Sequence, residues 1–186
     1  KELAERAPRT ERQDRFEYIY VDGQVISRQL NDLMDAIRPP GASDIEIRLR
    51  DLDNEGVRCQ LAFPSMGFWT ANIEDPELAR ATTHAYNEWA LEEVIARQQR
   101  VIPTATVSIA DIDDAVKELE WAAENGFQAV FLPTQVPEGR EFGLDLWEPL
   151  GAAAEAARMV IAYHIGTGGA TVVYRGRGGA VVNYME

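Results

Sequence analysis

From Val57 onward the chain repeats one pattern, a short apolar run followed by an amphipathic stretch and then another apolar run. The runs are Val57–Phe63, Val101–Val107, Phe127–Leu132 and Met159–His164. Strands that alternate with helices at crossovers of roughly 30 residues end up parallel, because a tight turn cannot reach a parallel neighbour. The last run is apolar without polar alternation, which predicts a strand buried on both faces. Such a sheet carries its helices outside, either wound around a barrel or laid across an open doubly wound sheet.

The helical stretches carry their own start and stop signals. Ser43 followed by Glu46 has the capping-box spacing, and the helix it opens sets Ile45, Leu49 and Leu52 inward before Gly56 ends it. Asp75-Pro76 opens the next helix with a capping carboxylate and a proline in the first turn. At about 100° per residue its apolar face gathers Leu78, Thr82, Ala85 and Trp89, while His84 points away as a solvated neighbour of Arg80 and Glu88. A third helix spans Asp111–Asn125 with Ile112, Ala115, Leu119 and Ala122 in a stripe, and Gly126 stops it. Its acidic start, Asp111, Asp113 and Asp114, suits the positive end of the helix dipole and needs no metal. Leu144–Arg158 is the fourth, leading directly into the last apolar run.

The first 42 residues lie outside this pattern. Residues 1–15 are mostly charged and read as an irregular lead-in. Phe16–Val21, Asp22-Gly23 and Gln24–Ile26 read as a hairpin with a primed turn. Residues 27–42 have no clear period, and Pro39-Pro40-Gly41 ends whatever precedes it. The expected organisation is a hairpin and irregular excursion over 1–42, followed by one α/β domain over 43–186.

Charge and composition narrow the partners. A net charge of −13 repels a nucleic-acid backbone and an anionic membrane surface, and Arg175 and Arg177 stand isolated in a glycine loop. One cysteine excludes an internal disulfide, and Cys59, on the apolar side of an alternating run, reads as an inert buried thiol. The chain shows no signal-peptide core and no run of about 18 apolar residues, so a cytoplasmic setting is the default expectation.

Three kinds of chemistry compete for the loops after the strands. Gly166-Thr-Gly-Gly-Ala170 is a glycine loop like a phosphate cradle, but the six-residue fingerprint is incomplete, the next clear helix does not begin at its last glycine, and no acidic residue lies about 20 positions on in a second βαβ unit. Ser65 follows a strand without a Gly-x-Ser-x-Gly elbow, and as a nucleophile it would need His164 as base. His164 ends the last run, where an α/β barrel does its chemistry. A catalytic zinc takes about three protein ligands, whereas the chain has two histidines and no His-x-His pair. On the residues alone, a structural histidine at a strand end is the stronger reading.

A succession of short motifs changes that balance. Arg50-Asp-Leu-Asp-Asn-Glu-Gly56-Val57, Leu61-Ala-Phe-Pro-Ser65, Ala85-Tyr-Asn87-Glu-Trp89, Arg100-Val-Ile-Pro-Thr-Ala105, Gly126-Phe-Gln-Ala-Val-Phe-Leu-Pro133 and His164-Ile-Gly166 follow one another in the order and spacing of a known family. Together they resemble the amidohydrolase-related family, metal-dependent (β/α)8 TIM barrels that include the aminocarboxymuconate-semialdehyde and resorcylate decarboxylases. The resemblance implies that the four runs are strands two to five of a barrel and that His164 is a metal ligand, to zinc first and manganese second. It also implies that Ser65, Phe68, Trp69, Thr106 and Pro133 face a small carboxylated substrate. Metal-activated hydrolysis or non-oxidative decarboxylation is the implied reaction. For Phe68 and Trp69 a hydrophobic plug or a homo-oligomer contact is an equal alternative. The family's His-x-His pair, its sixth-strand histidine and its eighth-strand aspartate have no counterpart in these residues. A whole barrel takes about 250 residues, so the resemblance implies the middle of one, inactive alone. The rival is a non-catalytic α/β module whose bare sheet edges invite association.

Overall fold

The computed structural model describes residues 2–134 and 136–165. A short helix α1 (Glu2–Arg6) leads into an antiparallel sheet of β1 (Arg9–Gln13), β2 (Phe16–Val21) and β3 (Gln24–Leu30), in that order. The hairpin forms where Asp22-Gly23 predicts it. Asp22 and Gly23 both have positive φ, 49° and 77°, as a primed two-residue turn demands. Residues 1–15 are not an irregular lead-in, because β1 pairs with β2 along its whole length. As an exposed edge strand it needs no apolar alternation, which is why Arg-Thr-Glu-Arg-Gln hides it.

Along β2 the side chains alternate between two faces, with Glu17, Ile19 and Val21 buried. Glu17 is the anomaly, a carboxylate only 3 % exposed, and Arg38 donates to it at 2.6 and 2.9 Å. The stretch after Ile26 continues β3, then forms helix α2 (Asn31–Ile37) and a 3-10 turn Pro40–Ala42. Val21, with Leu3 and Ile26 beside it, packs against Ile73, Leu78 and Ala79, so the small sheet leans on the next helical layer.

That layer opens with α3 (Ile45–Asn54), whose cap differs from expectation. Asp44, not Ser43, accepts from the backbone of Glu46 and Ile47 at 2.9 and 3.0 Å. Ser43 instead donates to the Pro40 carbonyl within the preceding turn. The parallel sheet then runs β4 (Gln60–Ala62), β5 (Val101–Thr106), β6 (Ala129–Pro133) and β7 (Val160–His164), neighbours in sequence order. An open doubly wound sheet would reverse this order at a switch point. Outside lie α4 (Pro76–Ala90), extended by a π-helical turn Leu91–Ile95, then α5 (Ile112–Glu124) and α6 (Glu148–Ala157). Ala105, Val107, Val130 and Leu132 from the sheet meet Leu119, Ala122, Leu150 and Ala154 from the helices in the main core. No helix among the described residues is long and apolar enough to cross a membrane.

Three further expectations are corrected. The first parallel strand is three residues long rather than seven, which leaves Cys59 exposed ahead of it. The buried face of α4 is Leu78, Ala79, Thr83, Asn87 and Ala90, and Trp89 is 54 % exposed. Among the described residues β7 pairs only with β6, so Val160 and Tyr163 are exposed instead of buried on both faces. The Gly166–Ala170 loop, Arg175 and Arg177 lie outside the described residues.

Candidate functional site at the carboxyl ends of the strands

Parallel strands bring all their carboxyl ends to one side. Pro133 at the end of β6 stands opposite His164 at the end of β7, and Thr106 at the end of β5 opposite Phe131. Opposed residues in a ladder share a face, so the residues alternating with the helix-side Ala105, Val107, Val130 and Leu132 turn toward the concave side. Phe63, which follows β4, brings its ring to 4.7 Å from the His164 ring. In a flat sheet the first and fourth strands stand roughly 14 Å apart, so this contact requires the sheet to curl inward.

Around His164 the site is aromatic. Phe68 meets it edge-on at 4.7 Å and stacks on Phe131 at 5.1 Å, while Phe63 meets Phe131 edge-on at 6.3 Å. The Nδ1 of His164 faces the Ile165 carbonyl at 2.6 Å. A carbonyl only accepts, so Nδ1 carries a proton, and in the neutral ring Nε2 is the nitrogen that holds the lone pair. Phe68 owes its position to the 3-10 turn Gly67–Asn72, anchored where Thr70 donates to the Gly67 carbonyl at 2.8 Å. A Cβ at Gly67 would lie 2.9 to 3.0 Å from Pro64 and the Tyr86 ring, so glycine permits that close approach. Burial among these apolar neighbours pushes the Tyr86 phenol up from its ordinary value.

The other expected site residues scatter. Trp69 packs beside Val21, Ile73 and Leu78, away from the histidine. Ser65 is exposed and lines a groove of about 360 Å³ between α3 and α4 with Arg48 and Trp89, a groove that Phe63 also borders. Among the described residues the one side-chain hydrogen bond of His164 is to its neighbour's carbonyl, so no Ser–His pair forms. Pro133 is buried beneath the rim. Thr106 is fully buried, and its hydroxyl reaches the Thr83 carbonyl and Asn87 Oδ1 at 3.4 Å.

Asn87 is what the sequence reading missed at that strand end. Its amide donates to the Thr106 carbonyl at 2.8 Å and its Oδ1 accepts from the Thr106 N–H at 2.9 Å. It thereby satisfies the backbone of β5 beyond the last residue that pairs with β4. Asn87 also donates to Glu118 at 2.8 Å, and the carboxylate of Glu118 lies 3.0 Å from His84 Nδ1. His84 is therefore tied to α5 and packed on Trp121 at 4.8 Å, although Glu88 stands near its other nitrogen at 3.6 Å as expected. Phe63 and Phe131 were missed too, because in uniformly apolar runs no alternation marks which side chains turn inward.

Whether this rim suits a metal follows from its donors. His164 supplies one free imidazole nitrogen, and no group of three His, Cys, Asp or Glu side chains comes together among the described residues. A protein metal centre takes about three or four such donors, so these residues alone do not fit one.

The sequence model of the amidohydrolase family matches residues 20–180. The chain belongs to the amidohydrolase family. Among solved structures, an amidohydrolase from Mycobacterium avium subsp. paratuberculosis superposes with a TM-score of 0.70 at 18 % identity, over 88 % of this chain and 52 % of that one. The 2,6-dihydroxybenzoate decarboxylase from Rhizobium gives 0.57 at 19 % identity, over 71 % and 45 %. The 5-carboxyvanillate decarboxylase from Sphingomonas paucimobilis gives 0.57 at 20 % identity, over 69 % and 40 %. A search of curated protein sequences finds no match. The chain thus spans about half the length of the amidohydrolase-family structures it resembles, and its parallel sheet with outer helices is part of their (β/α)8 barrel.

Proposed function

We propose that the carboxyl rim is one wall of an active site for a small, flat, carboxylated substrate, in a metal-dependent enzyme of the hydrolytic or decarboxylating kind. The observation supporting this reading is one imidazole with a free Nε2 set among the rings of Phe63, Phe68 and Phe131. In this reading His164 is a single donor to a divalent ion, zinc or manganese, and the remaining donors come from outside the described residues. Nδ1–H held on the Ile165 carbonyl orients the ring, as the outer nitrogen of a metal-binding histidine usually is held. The phenylalanine rings exclude water and offer edges and faces to an aromatic body. That wall suits the ring of a benzoate-like acid, and two of the similar structures are decarboxylases named for such acids.

The reading is tested by titrating 2,6-dihydroxybenzoate and zinc, separately and together, into the 186-residue chain while following the His164 ring resonances by NMR. Saturable shifts at His164 are expected, weakened about fivefold to tenfold in Phe68→Ala through loss of an aromatic contact. Shifts that survive unchanged in Phe68→Ala, or no shift at either ligand, would remove the rim from consideration as a substrate wall.

A further inference from the structure

The groove of about 360 Å³ that Ser65 lines runs between α3 and α4, over the outer face of β4 and β5. Its floor is apolar, with Ala62 and Pro64 from β4 and the loop after it, and Val101 and Pro103 from β5. Trp89 stands at its side, 54 % exposed, with the Tyr86 ring 5.9 Å from its own. Among the described residues, the charged groups along the groove are engaged with one exception. Glu93 accepts from Arg97 at 2.8 Å, and Asp44 accepts from the first backbone N–H groups of α3. Arg48 is half-buried and pairs with no carboxylate. Its Nε donates to Gln60 Oε1 at 3.0 Å and its Nη1 to the Gly41 carbonyl at 3.4 Å, which fixes the guanidinium plane and leaves Nη2 without a partner. Tyr86 is mostly buried, yet among the described residues neither its phenol nor the Ser65 hydroxyl makes a hydrogen bond.

We infer that this groove binds a small monocarboxylic acid with an apolar body, the body lying between Trp89 and the floor and the carboxylate resting on Arg48. A guanidinium held in plane by two neutral acceptors, with no counter-ion, is matched by a planar anion, which its remaining Nη donors can meet in parallel. The unengaged hydroxyls of Tyr86 and Ser65 are further donors to the same oxygens. A bare inorganic anion would leave the indole and the apolar floor without a contact, so an acid with a hydrocarbon body is the better fit. A net charge of −13 offers an anion no long-range attraction, so affinity rests on these contacts alone. For a ligand of about eleven non-hydrogen atoms that means roughly millimolar binding. Phe63 borders both this groove and the rim around His164, but the groove is a separate site, and the inference stands whether or not the rim holds a substrate.

The test is to titrate 3-phenylpropionate into the full chain while following the indole N–H resonance of Trp89 by NMR, with Trp89→Phe to assign it. A saturable shift is expected, and the neutral 3-phenylpropionamide should bind at least about fivefold more weakly. Arg48→Met should weaken the acid about tenfold and erase its advantage over the amide, whereas Tyr86→Phe should weaken it about threefold and keep that advantage. Phe68→Ala, at the rim, should leave the Trp89 shift as it is, which separates failure of this site from failure of the rim. Thermal melts check that each variant folds, and the comparison of acid with amide on the wild type decides the matter even where Arg48→Met does not fold. No saturable shift at Trp89, equal binding of acid and amide, or full binding by a folded Arg48→Met chain overturns the inference. A shift confined to the His164 ring overturns it too, and assigns the acid to the rim.

Discussion

At the scale of single residues, His164 and Asn87 make opposite predictions. The His164 ring is half-buried and its hydrogen bond is to the adjacent carbonyl, so His164→Ala should cost less than about 1 kcal/mol in urea unfolding. It should also abolish whatever zinc shift the wild type shows. A loss of roughly 1–3 kcal/mol with zinc behaviour unchanged would make the histidine structural instead. After dialysis against zinc the wild-type chain should retain far less than one equivalent, because one imidazole supplies a fraction of the donors needed. Metal analysis returning one equivalent per chain would point to ligands outside the rim. Asn87→Ala should be far more costly, about 2–4 kcal/mol, since it strands the Thr106 N–H and carbonyl and takes a donor from Glu118. An Asn87→Ala protein that unfolds within about 0.5 kcal/mol of wild type would show that β5 does not depend on it.

Elements were legible where their signals are local. Asp75 caps α4 as read, Asp111, read as the first residue of α5, is instead its cap, Gly126 takes φ 90° just past α5, and the Ile112, Ala115, Leu119 and Ala122 stripe is buried. The α3 cap was read one residue early because Ser43 and Asp44 are both competent, and Ser43 is drawn off by the Pro40–Ala42 turn. Asp44→Ala should therefore cost about 1 kcal/mol, and Ser43→Ala less than about 0.5 kcal/mol. Equal costs in thermal unfolding would mean that the two residues share the cap. The apolar face of α4 was misjudged because its strongest inward group is polar. Asn87 is buried to serve β5, which turns the helix so that Trp89 faces out.

For the whole molecule, arginines clasp the small sheet together and onto α4. Arg6 donates to Asp22 at 2.6 and 3.1 Å and to Asp75, the α4 cap, at 2.8 Å, while Arg38 holds Glu17. Arg6 keeps the carboxyls of Asp22 and Asp75 below their ordinary value of 3.8, and Arg38 keeps that of Glu17 below 4.5. A carboxylate depressed in the folded state binds fewer protons there than in the unfolded chain. Its stabilisation is therefore complete above the ordinary values and disappears as pH falls through the depressed ones. Melting temperature should hold from pH 7 down to about 5 and drop steeply below about 4, with a shallower drop in Glu17→Gln. An identical acid profile for that variant would remove Glu17 from the cause. The sequence by itself determined the succession of four parallel strands with helices between them and the Asp-Gly hairpin, because periodicity, caps and turn residues act within a few positions of chain, while the order of the strands within the sheet was settled by the fold. Tertiary structure alone decided which apolar side chains face inward around His164, that Asn87 stands in for a strand, and that a charged segment becomes β1. Each of these depends on partners distant in sequence, whose arrival is set by the curl and packing of the whole sheet.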